Sequence, residues 1–293
     1  MNARAQCLTR IEMVCGDPAA LAEFYQVAFG FVATASALPL AGRDIELRLG
    51  GQTIRLVRAQ PGGRAYPLDV AGWSPLFQHI AIIVSDMQRA YAHLATLPGW
   101  APISTAGPQV LPVASGGVSA FKFRDAEGHP LELIAFPAGA VPPRWKTQSQ
   151  NVFLGIDHSA VSVSSTATSI AFYESLGLNR SAGSLNVGRE QSLLDDVPNA
   201  IVQVTALTAS QATPHVELLC YQGDFDRRGG SQGINDVTAT RLVLTVENSS
   251  ALEAACARVS GALLSGPELR RDNSCCALLH DPDGHLIRLE TAG

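Results

Sequence analysis

Residues 78–84, QHIAIIV, and 125–134, DAEGHPLELI, decide how this chain folds. The first reads as a buried strand with one histidine, His79, near its start; the second reads as a turn followed by a strand carrying one carboxylate, Glu132, among apolar neighbours. A histidine and a glutamate in such company need partners. The same pair recurs as His158 in GIDHSAVSV (155–163) and Glu217 in HVELLCY (215–221). A lone histidine on an apolar strand is more often a satisfied core residue than a ligand. Chance burial does not, however, place two histidines and two glutamates at matched positions.

Working outward, the recurrence belongs to a fourfold internal repeat in which a strand, a helix and three further strands follow one another. The units run from about 8 to 58, 78 to 136, 155 to 221 and 240 to 291. In the first, Asp17 and Pro18 open a helix that Gly30 closes, and Gly50 and Gly51 turn a hairpin. Asp86 caps the helix of the second, and Gly128 turns its last hairpin. The third carries the helix TSIAFYESL, and the fourth ends in the hairpin HDPDGH. Phe24-Tyr25 before Gly30 and Phe172-Tyr173 before Gly177 mark the odd units as copies. The Pro-rich then polar segment 137–151 is the natural linker, with the main boundary near Thr147: residues 1–146 and 147–293 form two domains of two modules each.

At 293 residues, 46% hydrophobic and 16% charged, the chain is globular throughout. Its formal charge of -5 and lack of a Lys/Arg block argue against nucleic acid and anionic membranes, leaving a small soluble molecule as partner. The start of the chain has no apolar leader and no run spans a bilayer, so a cytoplasmic location is expected. Six cysteines show neither framework spacing nor a CxxC pair and read as reduced.

Tandem units with a histidine opening the first strand and an acidic residue in the last resemble the vicinal oxygen chelate superfamily, which includes glyoxalase I, extradiol dioxygenases and bleomycin resistance proteins. FQHIAIIVSD, EGHPLELIAF, GIDHSAVSVSS, AFYESLGL, VELLCY and DPDGHLIRLE carry the resemblance across nearly the whole chain. It implies an α+β fold of four βαβββ modules forming two half-barrel cavities, with metal ligands on the inner faces of first and last strands. The fold itself hosts many chemistries.

Arg10, His79, His158 and Arg241 occupy equivalent places in the first strands, and Arg55, Glu132, Glu217 and Arg288 in the last. Two pairings are open. If neighbouring modules pair, each cavity holds one His, one Glu and two Arg, which suits a metal-free pocket. If the second pairs with the third and the first with the fourth, His79, Glu132, His158 and Glu217 gather in a set resembling the glyoxalase I site. The mirrored Arg, His, His, Arg order favours this nested pairing, since duplication of a two-module ancestor gives the same order twice. The outer cavity then holds four guanidiniums. Period-two alternation places Glu12 beside Arg10 and Glu290 beside Arg288, so a structural role is expected there.

Two imidazoles and two carboxylates suit Zn, Ni, Co, Mn or Fe. The resemblance implies isomerase or lyase chemistry on a substrate with adjacent oxygens, through an enediolate-type intermediate, with Glu132 or Glu217 moving the proton. Alternatives are a dioxygenase using His79, His158 and one Glu as a facial triad, and a metal-free protein that binds a small ligand, with Trp73, Trp100 and Trp145 as candidate lining. Asn186, Arg189 and Gln191, in SLNVGREQSLLDD, are the candidate substrate contacts. His129 and His285 read as surface or strand-edge residues, and His93, His215 and His280 belong to no matched set. A monomer suffices for two cavities, and a homodimer is compatible.

Overall fold

The computed structural model describes residues 7–34, 44–146, 150–225, 232–269 and 274–291. Thr147, at the expected boundary, and residues 226–231 of the loop between the third and fourth modules lie outside them. The first module comprises β1 (Cys7–Cys15), α1 (Pro18–Phe29), β2 (Val32–Ala33), β3 (Ile45–Leu49) and β4 (Gln52–Arg58). The second comprises β5 (Gln78–Val84), α2 (Met87–Ala95), β6 (Ala101–Pro102), β7 (Gln109–Val110), β8 (Ser119–Arg124) and β9 (Pro130–Ala135). The third inserts a helix between two strands: β10 (Phe153–Ser162), α3 (Thr166–Ser175), β11 (Asn179–Val187), α4 (Arg189–Asp195), β12 (Ile201–Thr208) and β13 (His215–Tyr221). The fourth comprises β14 (Arg241–Val246), α5 (Ser249–Arg258), β15 (Leu263–Leu269), β16 (Cys275–His280) and β17 (Leu286–Thr291).

Local chemistry sets these bounds. Asp17 Oδ1 accepts the Ala19 and Ala20 amides at the start of α1, and Gly30 closes the helix at φ 74°. Asp86, Ser165 and Asn248 cap the helices of the other modules in the same way. All seven residues of β5 are buried because both its faces are covered. Ile80, Ile82 and Val84 face a core shared with α1 and α2, while Ala81 and Ile83 face the opposite side, toward which period two also directs His79.

The sheets follow the nested pairing. The second and third modules join through the antiparallel pair β5–β10 into one sheet of nine strands; the first and fourth join through β1–β14 into one of eight. The apolar cores cross this division. One gathers mainly residues of the first two modules, from Ile11 to Leu133; the other gathers mainly the last two, from Val161 to Leu289. Each module therefore shares its sheet with one partner and its core with another.

Two polar locks reinforce the core contacts. Tyr25 Oη donates to Asp125 Oδ2 at 3.1 Å, and His129 Nε2 donates to the Val14 carbonyl at 2.9 Å, tying the second module to the first. Tyr173 and His285 repeat this with Asp281 and the Ser162 carbonyl at 3.2 and 2.8 Å. His129 and His285 are thus buried, each 1% exposed, rather than at the surface as their place after a turn glycine suggests. The turn aspartate accepts the histidine amide and folds the ring inward onto the preceding module. His129 also places Nδ1 2.9 Å from Asp125. With acceptors on both ring nitrogens it is held as an imidazolium; burial opposes this, but the Asp125 carboxylate outweighs it and raises the pKa.

The tryptophans pack structurally. Trp73 stacks on Phe225, Trp100 sets its edge against Phe121 and Phe123, and Trp145 is buried. The cysteines are free, and no described helix is long and apolar enough to cross a membrane.

Candidate metal centre

A local twofold relation between β5 and β10 builds the centre. Ile80 lies opposite Ser159, with His79 opposite Ala160 and Ala81 opposite His158 on either side. β9 runs parallel to β5 with Glu132 beside Ala81, and β13 runs parallel to β10 with Glu217 beside Ala160. The two alanines are fully buried and carry almost no volume, so the larger side chains around them converge. His79 Nε2 lies 3.2 Å from Glu132 Oε2, and His158 Nε2 lies 3.6 Å from the same oxygen and 3.5 Å from Glu217 Oε2.

The arrangement departs from symmetry at the carboxylates. Glu132 is 7% exposed and lies close to both imidazoles, whereas Glu217 is 20% exposed and leans toward His215, whose Nε2 is 3.4 Å from Oε1. Ligand atoms of His79, Glu132 and His158 all fall within 4.8 Å of one another, and so do those of Asp157, His158 and His215. Asp157 sits beside His158, with Oδ2 3.2 Å from Nδ1. Strict alternation puts neighbours 157 and 158 on opposite faces; a register shift in β10 between Ile156 and His158 overrides it.

Charge is distributed unevenly. Burial pushes the Glu132 carboxyl up, but Lys122 and the two imidazoles outweigh it and hold it well below the usual carboxylate range. Glu217 is lowered too, chiefly by His158 against its burial. Burial lowers the pKa of His79, whereas Glu217, Asp157 and Glu132 hold that of His158 well above the ordinary value despite burial. His158 Nε2 is buried without a hydrogen-bond partner among the described residues and is directed at two carboxylates. The chemistry of this donor set fits a divalent first-row ion.

Beside the cluster lies a cavity of about 180 Å³, walled by Leu111, Val118, Ala120, Ile134, Leu194 and Leu219. Asn186 and Gln191 reach it, whereas Arg189 lies on the exposed face of α4. Lys122 also reaches it, opposite Glu132 in the β8–β9 ladder, and its Nζ is pinned 2.7 Å from Asp195 of α4. Lys122, Asp157 and His215 escape sequence reasoning because none recurs at a matched position of another module.

The outer sheet repeats the geometry with inverted charge. Glu12 lies beside Arg55 and opposite Arg241, the place that Ala81 takes in the inner sheet, and Arg288 lies beside Val243. Glu12, 1% exposed, is 2.9 Å from Arg10, 3.3 Å from Arg288, 3.7 Å from Arg55 and 3.8 Å from Arg241. Arg10 also grips Glu290 through two nitrogens at 2.5 and 2.7 Å. A carboxylate fills the centre of this cluster, and the residues in the ligand places are cations.

No protein-family model matches the chain, and no curated protein matches it by sequence. Solved structures do. Glyoxalase I from Zea mays superposes at a TM-score of 0.65 with 16% identity, covering 98% of this chain and 92% of that one. A provisionally assigned dioxygenase from Bacillus subtilis superposes at 0.59 with 12% identity, covering 98% and 86%. With four βαβββ modules paired in a nested order, the chain has the α+β fold of the glyoxalase I structure.

Proposed function

We propose that the second and third modules form a metal-dependent, glyoxalase-like centre acting on a small substrate with adjacent oxygens. The observation that carries this reading is the unequal placement of the two carboxylates: Glu132 sits buried against both imidazoles, while the more exposed Glu217 lies between His158 and His215. His79, Glu132 and His158 would hold a divalent ion, Zn, Ni, Co, Mn or Fe, with Glu217 within reach as a fourth ligand. Such an ion supplies a Lewis acid that lowers the cost of negative charge on a substrate oxygen.

The protein's own groups do the rest. Glu217, ionised and the more exposed carboxylate, takes a proton from carbon next to a carbonyl. Returning it to the neighbouring carbon gives isomerisation; expelling a leaving group gives lyase chemistry. Lys122 is committed to Asp195 and stays protonated, so it stabilises the Glu132 carboxylate rather than moving protons. The apolar wall keeps water from the reacting carbon, and Asn186 and Gln191 orient the substrate.

A second reading, a ring-cleaving dioxygenase, draws on the tight grouping of His79, His158 and Glu132, a two-histidine, one-carboxylate set. Metal analysis of the purified protein beside His79→Ala and His158→Ala tests the common premise. Wild-type metal load in both variants, or a protein that takes up no metal, rejects it in favour of a metal-free binding protein. Oxygen uptake with catechols against turnover of a methylglyoxal–thiol adduct separates the two enzymes.

A further inference from the structure

The linker between the second and third modules reaches the centre through one residue. Asp157 Oδ2 lies 3.2 Å from His158 Nδ1, while its Oδ1 accepts a hydrogen bond from Trp145 Nε1 at 3.0 Å and a longer one from Arg144 at 3.4 Å. Trp145 closes the linker turn Pro143–Trp145 and is 7% exposed. Its indole lies across β10 where Gly155 leaves room, since a Cβ there would stand 2.7 Å from the ring. The second module has no such arrangement. Gln78, the residue before His79, bonds Ser159 instead, and His79 Nδ1 has no hydrogen-bond partner among the described residues.

We infer that Asp157, fixed by the linker residue Trp145, is a positioning residue that holds the His158 ring with Nδ1 protonated and Nε2 turned to the metal. A carboxylate accepting from Nδ1 fixes ring rotation and tautomer and makes the opposite nitrogen a stronger donor. His158 is accordingly the anchoring imidazole and His79 the weaker one. Asp157 is itself immobilised because its other oxygen is held by a buried indole, so the linker sets the metal affinity without touching the ion.

The inference rests on the metal-centre reading, and its test separates the two. Binding of Co²⁺ and of Zn²⁺ is titrated with wild type, Asp157→Ala, Trp145→Phe and His79→Ala, alongside thermal melts. Nitrogen-labelled histidine spectra of the metal-free protein follow the His158 Nδ1–H. Asp157→Ala weakens binding about 10–100-fold and loses the slowly exchanging Nδ1–H signal. Trp145→Phe, which deletes one donor and keeps the ring, shifts both readouts the same way by less. Wild-type affinity or an unchanged Nδ1–H in Asp157→Ala overturns the proposal. So does a metal count above one per chain that drops in Asp157→Ala, because Asp157 is then a ligand. If wild type binds neither ion, the metal reading fails while the Nδ1–H comparison still decides whether Asp157 orients the ring.

Discussion

The inner and outer sheets place side chains at the same register positions and fill them with opposite charge. In the inner sheet two imidazoles and two carboxylates surround the space left by Ala81 and Ala160; in the outer sheet four guanidiniums surround Glu12, which takes the Ala81 place. A converging set of donors with a void beside it invites an ion. A converging set of cations with a carboxylate inside already has its counterions, because Glu12 lies within 4.0 Å of all four guanidiniums while Glu290 pairs with Arg10 and Glu46 with Arg55. Equivalent strand geometry thus yields a candidate site in one sheet and a structural ion-pair cluster in the other, and the difference lies in which residue occupies the alanine position.

The contrast is broken most directly by metal analysis after dialysis. His158→Ala should lose its bound ion completely, whereas Arg241→Ala at the matched outer position should keep the wild-type content. A retained ion in the first, or a lost one in the second, removes the division of labour. Glu217→Gln should next reduce turnover about 10²–10⁴-fold with the metal retained, while Glu132→Gln should lose metal. Equal metal loss in both would erase the asymmetry between the carboxylates. Removing the outer carboxylate's charge with Glu12→Gln should cost about 3–5 kcal/mol in denaturant unfolding, as expected for breaking a buried pair. The metal content should not change. An unaltered unfolding midpoint would show that the guanidiniums do not depend on Glu12.

The smallest effect concerns how the sheets are held together. The pKa of His129 is raised above its ordinary 6.5 by Asp125, so its contribution to stability is full below that value and is lost as pH rises through the folded one. Melting temperature should therefore fall on going from neutral to alkaline pH, and His129→Gln should flatten that part of the profile. An identical profile in the variant would detach the lock from stability.

Much of the frame was legible in the residues. β5 spans the quoted 78–84 stretch, Asp17 and Asp86 cap where expected, and the mirrored Arg, His, His, Arg order anticipates the nested sheets. Repeats make such features readable, because a position is compared with its copies. What lay outside the repeat was not readable. Asp157 shares the face of His158 through a register shift, Lys122 and His215 have no counterparts, and His129 and His285 turn inward to carbonyls far along the chain.

The sequence alone therefore determined the modules, their faces and the four candidate ligand places, since strand periodicity and helix caps are local and recur with the repeat. Tertiary structure decided which modules share a sheet and which share a core. It also decided which carboxylate is the more exposed and which linker residue reaches His158. Those depend on strand register and long-range packing, which no local pattern encodes.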